Sequence, residues 1–325
     1  MTALLSVRDL GIRFGAANPV DSVSFDVNPS EMLGIVGESG SGKSITLRAL
    51  LQLLPKHAAT SGVALWRGRD LLSMDEADIR RARGREIAMI FQEPMTALNP
   101  VLPIGLQITE SLDAHMNMRG AAARKRALEL LDLVGIPDAR RRLQNYPHEF
   151  SGGMRQRAMI AIALAAEPKL LLADEPTTAL DVTIQDQILK LLLGLKDELQ
   201  MSVILVTHDL GVVAGVCDRM VVMYAGRIME TGPVYDVFNS PAHAYTLGLM
   251  RSVPARSHAR QPLPSIPGAP PALGDMPPGC RFAPRCDFAT ADCSRASPLL
   301  WNVADDHQTS CLHAEDIGRA ARKAA

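Results

Sequence analysis

An α/β fold with buried parallel strands, carrying a helical insert and a small cysteine-rich extension, is predicted by three features of this 325-residue chain. Apolar runs such as Met32-Leu33-Gly34-Ile35-Val36 and Leu170-Leu171-Leu172-Ala173 have strand length and no polar interruption, as strands covered on both faces do. The composition is 47% hydrophobic but only 4% aromatic, the aliphatic balance such a sheet needs. The first run leads directly into Gly37-Glu38-Ser39-Gly40-Ser41-Gly42-Lys43-Ser44, which matches G-x-x-x-x-G-K-[ST] in the strand-then-helix setting that the pattern requires. At about one domain per 150 residues, the length allows two units.

Taken in order, residues 22–27 alternate with a period of two and read as a half-buried strand, with Leu4-Leu5-Ser6-Val7 as its neighbour. Residues 43–54 read as a helix stopped by Pro55. Ser73-Met74-Asp75-Glu76 has capping-box spacing ahead of a short basic helix, and residues 87–91 form a strand ending at Gln92. Residues 100–150 lose strand character. Within them 121–134, with Leu128, Leu131 and Val134 on one face and Gly135 as C-cap, predicts a helical insert in the core. Residues 169–173, 202–207 and 220–224 are further buried strands, the first two separated by a helix over 182–199 with Asp181 as N-cap. Residues 254–278 hold eight of the 22 prolines, a density that excludes helix and central strand and marks a linker. Beyond it lie Cys280, Cys286, Cys293 and Cys311; Cys217, alone in the rest of the chain, reads as a buried structural thiol.

Several functions are excluded by composition. With 34 basic and 35 acidic residues the net charge is −1, so no global field draws nucleic acid. The clusters Arg80-Arg81-Ala82-Arg83-Gly84-Arg85 and Arg140-Arg141-Arg142 lack interleaved aromatics and read as solvated faces. The longest apolar run, 158–166, is well short of the ~20 residues that span a bilayer. The first residues show no basic segment followed by a long apolar one, so the chain is expected to stay in the cytoplasm, where five cysteines are poor disulfide candidates.

The chemistry concentrates in three places. Glycines 37, 40 and 42 allow backbone N–H groups to converge on phosphate oxygens at a helix N-terminus, Lys43 reaches the β- and γ-phosphates, and the Ser44 hydroxyl ligates Mg²⁺. The strand through 170–173 ends in Asp174-Glu175, where Asp174 supports Mg²⁺ and Glu175 polarises the attacking water. Phe150-Ser151-Gly152-Gly153-Met154-Arg155-Gln156 precedes a helix and forms a second anion site, with Ser151 as N-cap. One nucleotide does not need two phosphate cradles; the second fits a nucleotide held by another subunit.

In this combination the chain resembles the ATP-binding cassette ATPases over roughly residues 4–240, with the motifs in the family's order. The resemblance implies nucleotide contacts from Phe14, Ser39, Gly40, Gly42, Lys43, Ser44, Ile45 and Asp174, with Phe14 stacking on adenine. It implies catalytic roles for Glu175, His208 and the Q-loop residue Gln92, and Mg²⁺ held by Ser44, Gln92 and Asp174. Ser151, Gly152, Gly153 and Gln156 would meet the partner subunit's ATP, and Asp181 belongs to the D-loop Ala179-Leu180-Asp181. The signature has Phe150 where many members have leucine. Residues 91–100 and His243-Ala244-Tyr245-Thr246-Leu247 resemble the dipeptide and oligopeptide importers, although Ala244 stands where proline is more usual. The implied boundaries are a cassette over 1–240 with its helical subdomain at about 96–158, a helix and proline-rich linker over 241–279, and a cysteine-rich region over 280–325.

The tail spacing is C-x5-C-x6-C-x17-C, without the C-x2-4-C knuckles of most zinc modules. Four thiolates on an open loop suit a [4Fe–4S] cube; zinc and free thiols remain the alternatives. The resemblance points to the cluster. Because residues 280–311 have little apolar content, loss of the cluster is expected to unfold the tail locally while nucleotide binding survives. The implied protein is an ATPase peripheral to the cytoplasmic face of a bacterial membrane. Its implied partners are two permease subunits, a second and paralogous ATPase, and indirectly an extracytoplasmic peptide-binding protein. Import of nickel, glutathione or another small solute is the alternative, and a soluble cassette ATPase of DNA repair or translation is a third reading.

Overall fold

The computed structural model of the protein describes residues 3–178, 180–252, 265–295 and 298–322. The alternating segment lies in β2 (Ala17–Val27), paired antiparallel with β1 (Leu5–Phe14). The apolar run is β3 (Met32–Val36), buried along its whole length. It feeds the phosphate loop and α1 (Lys43–Leu50), which ends short of Pro55 because Gln52 turns the chain with a φ of 50°. After β4 (Ala58–Trp66) and β5 (Arg69–Asp70) comes α2 (Glu76–Ala82). Its cap is Asp75 rather than Ser73: the Asp75 carboxylate accepts the Asp78 N–H at 2.8 Å. Arg80 and Arg81 of this helix are exposed beside Glu76 and Asp78, as a solvated face would be.

β6 (Ile87–Ile90) is followed by α3 (Pro94–Ala97), α4 (Ile104–Met116), α5 (Gly120–Leu133), α6 (Ala139–Arg142) and α7 (Gly152–Leu164). Helix α5 buries Ala123, Ala127, Leu130 and Leu131, whereas Leu128 is only half-buried, so the apolar stripe is rotated from the predicted one. Next come β7 (Leu170–Asp174), α8 (Val182–Leu199), β8 (Ser202–Thr207), α9 (Leu210–Val216), β9 (Arg219–Tyr224) and β10 (Arg227–Pro233). The described chain ends through α10 (Val234–Asn239), α11 (Ala244–Arg251), β11 (Trp301–Ala304), β12 (His307–Thr309) and α12 (Ala314–Arg322). No helix among the described residues is long and apolar enough to cross a membrane. Residues 254–264 of the expected linker and Ala179 of the expected D-loop lie outside the described residues; 265–279 contain only turns and bends.

The chain forms two compact units. The first, Met1–Val27, Leu33–Leu72 and Thr207–Ala325, contains the antiparallel order β2-β1-β4-β5 and the order β11-β12-β10-β9-β3, in which β3 and β9 are parallel. The second, Asn28–Met32 and Ser73–Val206, contains the helical segment and the parallel order β8-β7-β6, with Leu171 opposite Val203 and Ala88. The cysteine-rich region is therefore part of the first unit. Its strand β12 pairs with β10 through Glu230–Thr309 and Thr231–Gln308.

The reason is a shared core. Tyr224, Tyr245 and Phe282 meet with ring centroids 4.7 to 5.3 Å apart, joined by Val222, Met229, Cys311 and Ile317. Cys217 packs against the same core but is only half-buried, where full burial was expected. Under this core the Glu230 carboxylate, with no exposed surface, accepts the backbone N–H groups of Ala242 at 2.7 Å and His243 at 3.0 Å and lies 2.8 Å from His307 Nε2. Every partner of that buried charge is thereby fixed in place. Phe282→Ala removes the ring that joins the tail to β9 and α11, and is expected to cost about 3–5 kcal/mol. Urea denaturation of the full chain measures this; a midpoint equal to wild type would detach Phe282 from the core.

Candidate functional site

The expected site residues fall into two sets, one in each unit. In the first unit the phosphate loop closes around its own lysine. Lys43 is 4% exposed, and its ammonium donates to the carbonyls of Gly37 at 2.7 Å and Glu38 at 2.8 Å and to Ser41 Oγ at 3.3 Å. Two glycines have no substitute. At Gly37, φ is 153° and a Cβ would stand 2.0 Å from the Met223 carbonyl oxygen; at Gly42, φ is 100° and a Cβ would lie 2.8 Å from the Pro19 carbonyl. Gly42 starts α1, so the N–H groups of Lys43 and Ser44 open the helix as the motif requires. The turn after β9 completes the wall, with the Gly226 N–H donating to the Ser41 carbonyl at 2.9 Å.

The same loop is gripped from the C-terminal region. The Glu38 N–H donates to the Tyr245 hydroxyl at 2.8 Å, and the Glu38 carboxylate pairs with Arg285 at 2.8 Å. Arg285 also donates to the Tyr224 hydroxyl at 3.2 Å and to the carbonyls of Ile266 at 3.3 Å and Pro267 at 2.8 Å. Burial opposes its charge, but the hydrogen bonds to Glu38 and Tyr224 outweigh that and hold its pKa above the ordinary value. Arg281 pairs with Asp21 and donates to the Ala225 carbonyl, beside the Gly226 that holds Ser41. None of Glu38, Tyr245, Arg281 and Arg285 was selected from sequence as a nucleotide-site residue. The only available hint was their place inside or beside motif stretches.

Also in the first unit, His208 is exposed between two fixed neighbours. The Asp209 N–H donates to Thr207 Oγ1 at 3.1 Å, and the Asp209 carboxylate caps α9 by accepting the N–H groups of Gly211 at 2.7 Å and Val212 at 3.3 Å. Phe14 is half-buried at the end of β1, edge-on to the His57 ring with centroids 5.5 Å apart. Ser39 and Gly40 are exposed on the phosphate loop, while Ser44 and Ile45 are half-buried in the first turn of α1.

In the second unit Asp174, without exposed surface, ends β7, and Glu175 follows in the left-handed region with φ 46°. That conformation is uncommon for a glutamate and turns the chain sharply after the strand. Glu175 N–H donates to the Val206 carbonyl at 3.0 Å, and its carboxylate accepts from Gln92 Nε2 at 3.1 Å and Thr178 Oγ1 at 2.8 Å. Gln92 and Glu175, 83 residues apart, are thus brought together, and Thr178 is a partner of the carboxylate that sequence reasoning did not single out. Asp181 caps α8 through the Ile184 N–H at 3.0 Å, and Ser151 caps α7 through the Met154 N–H at 3.4 Å. Gly152 lies against Leu180, and a Cβ on Gly153 would stand 2.8 Å from Ile184. Ser151 and Gly152 are exposed; Gln156, expected beside them, is instead 1% exposed with an unpartnered Nε2. One and a half turns along α7, its position falls on the buried face, so it supports the helix and does not face outward.

The four tail cysteines line one small pocket together with His243 and His313. Burial pushes the thiols of Cys286 and Cys311 up to about 11 and about 12 and raises Cys280 as well. His243 is fully buried and its imidazole is pushed down to about 3 by loss of solvent. Its Nδ1 accepts the Tyr245 N–H at 3.0 Å, so the neutral ring carries its proton on Nε2, which has no partner among the described residues. Among the described residues no group of three or more His, Cys, Asp or Glu is gathered tightly enough to hold a single metal ion. Neither expected metal group, the [4Fe–4S] cluster nor zinc, thus has a preformed site among the described residues.

The profile of the ABC transporter family matches residues 20–178, and that of the oligopeptide/dipeptide transporter C-terminal region matches residues 229–293. The oligopeptide transport ATP-binding protein OppD of Escherichia coli is 50% identical over 301 residues, covering 91% of this chain and 89% of its own. OppD of Bacillus subtilis is 50% identical over 314 residues, 94% of this chain and 88% of its own. The chain belongs to the ATP-binding subunits of ABC transporters, in the oligopeptide/dipeptide branch. The fold agrees with solved members of the ABC ATPases. The cbiO1 protein of Clostridium perfringens, part of an ABC transporter complex, has 27% identity and a TM-score of 0.63 over 73% of this chain and 91% of its own. An ATP-binding cassette solved as a dimer with ADP and Pi has 28% identity and a TM-score of 0.62 over 71% of this chain and 98% of its own.

As an ABC ATPase the chain binds ATP, and its family implies permease partners in the membrane. Glu175→Gln keeps an oxygen for the hydrogen bonds to Gln92 and Thr178 but removes the carboxylate expected to act as base, so ATP binding should persist while turnover falls ~10²–10⁴-fold. Steady-state ATPase assays of the assembled transporter measure this; hydrolysis near the wild-type rate would remove Glu175 from the reaction.

Proposed function

We propose that the protein is the ATP-hydrolysing subunit of a bacterial importer of dipeptides and oligopeptides. The observation that carries this reading is the presence, in one chain, of the cassette motifs and of the oligopeptide/dipeptide C-terminal region over residues 229–293. Lys43 and the N–H groups opening α1 bind the β- and γ-phosphates, drawing the lysine from the carbonyls of Gly37 and Glu38. Phe14 offers its ring to adenine. Glu175 takes the proton of the water that attacks the γ-phosphorus, held in line by Gln92 and Thr178, and His208 donates toward the γ-phosphate oxygens. Mg²⁺ favours hard oxygen donors, which Ser44 of the first unit and Asp174 and Gln92 of the second would each supply. Ser151, Gly152 and Gly153, exposed or half-buried at the start of α7, would meet the ATP of a second, paralogous ATPase subunit.

Two permease subunits would hold the pair at the cytoplasmic face of the membrane, with an extracytoplasmic peptide-binding protein delivering the solute. A strain lacking this gene should lose uptake of labelled di- and oligopeptides and regain it from a plasmid copy. Unchanged peptide uptake together with lost uptake of nickel or glutathione would reassign the substrate.

We also propose that Cys280, Cys286, Cys293 and Cys311 hold a [4Fe–4S] cluster. One observation supports it: all four line one pocket, and four thiolates are the ligand set such a cluster takes. The buried Nε2–H of His243 supplies a donor that cluster sulfur can accept. Anaerobically purified protein should contain about four irons per chain and absorb broadly in the visible. Cys286→Ser should bleach it and Cys217→Ser should not; one zinc and no iron would reject the cluster.

A further inference from the structure

The loop between Cys280 and Cys286 carries two arginines, and both end at the phosphate loop's wall. Arg285 is 8% exposed on its side chain, stacks over Tyr224 and Phe282, and spends its donors on Glu38, Tyr224 and the carbonyls of Ile266 and Pro267. Glu38 is the second residue of the phosphate loop. Its three polar groups are all held: the N–H by Tyr245, the carboxylate by Arg285 and the carbonyl by Lys43. Tyr245 in turn stands on a ring of buried contacts with Tyr224 and Phe282, and its backbone N–H is fixed by His243, which Glu230 anchors. A carboxylate so near a phosphate cradle repels the ligand unless a cation neutralises it, and only Arg285 among the described residues forms an ion pair with it.

We propose that Arg285 is a positioning residue of the nucleotide site. By neutralising Glu38 and holding it against Tyr224, it sets the conformation of the phosphate loop, and it makes nucleotide affinity depend on order in the cysteine loop that carries it. The inference concerns contacts within the first unit and holds whichever group the cysteines bind. It also replaces the expectation that nucleotide binding is indifferent to the tail: disorder at 280–286 withdraws Arg285 and leaves Glu38 uncompensated.

The test uses the full-length protein and a non-hydrolysable ATP analogue, adenylyl imidodiphosphate with Mg²⁺, titrated by calorimetry. Arg285→Ala should weaken binding about tenfold or more, because a half-buried carboxylate beside the phosphate cradle loses its counter-charge. Adding Glu38→Gln to Arg285→Ala should recover affinity to within about threefold of wild type, since the repelling charge is gone. In the assembled transporter Arg285→Ala should raise KM for ATP with kcat little changed, as expected for an effect on binding and not on the chemical step. Iron content, measured on the same samples, reports the state of the cysteine site separately from the latch. Affinity of Arg285→Ala within about twofold of wild type, with the unfolding midpoint preserved, would overturn the proposal. So would a loss that Glu38→Gln does not relieve, which assigns the effect to lost packing. If Arg285→Ala cannot be purified folded, Tyr245→Phe decides: it keeps the ring stack and deletes only the oxygen on the Glu38 N–H, and unchanged affinity there overturns the proposal as well.

Discussion

The phosphate loop can fold as it does only because its backbone lies directly against other backbone. A side chain at residue 37 would strike the Met223 carbonyl and one at residue 42 would strike that of Pro19. Loop, β2 and the β9–β10 turn are thereby locked in one arrangement, with Gly226 donating to Ser41 across the turn. The loop's N–H groups are left turned toward the start of α1, where the helix end adds its positive potential. Glycine is needed twice over here, for a left-handed φ and for the absent Cβ.

Charge placement follows from that geometry. Lys43 is buried and donates to the loop's own carbonyls, neutral acceptors that phosphate can outcompete. Glu38 adds the opposite charge a few residues away, and the chain answers it with Arg285 from a segment 247 residues distant. The aromatic cluster of Tyr224, Tyr245 and Phe282 shields the Arg285 side of that ion pair from solvent, which strengthens it.

In the second unit the same logic appears in helix caps. Ser151 and Asp181 start α7 and α8 side by side, and Gly153 allows α7 to approach Ile184. Glu175 accepts an unfavourable φ at the end of β7, and its carboxylate is oriented by Gln92 from a distant segment and by Thr178 three residues on. Strain of that kind persists where surrounding bonds over-determine the residue, as the Val206 carbonyl on its N–H does here.

Local chemistry in the sequence determined much of this. Apolar runs bounded by polar residues placed β3, β7, β8 and β9, because a strand buried on both faces needs nothing else. Asp181 and Ser151 were readable as caps because capping is a contact over three residues. The motif stretches that hold Lys43, Gln92 and Asp174 were legible as those of a cassette family, whose profile covers residues 20–178. Where several short polar residues competed, local reading slipped: Asp75 and not Ser73 caps α2, and the stripe of α5 passes through Ala127 and not Leu128, since packing partners select the face. The sequence by itself could not show that Gln156 turns inward or that the tail is built into the first unit. Those outcomes depend on groups far apart in the chain, such as Phe282 against Tyr224, His307 on Glu230 and Arg285 on Glu38. Burial and pairing of charge at such separations are settled only when the tertiary structure brings the partners within hydrogen-bond reach and excludes water between them.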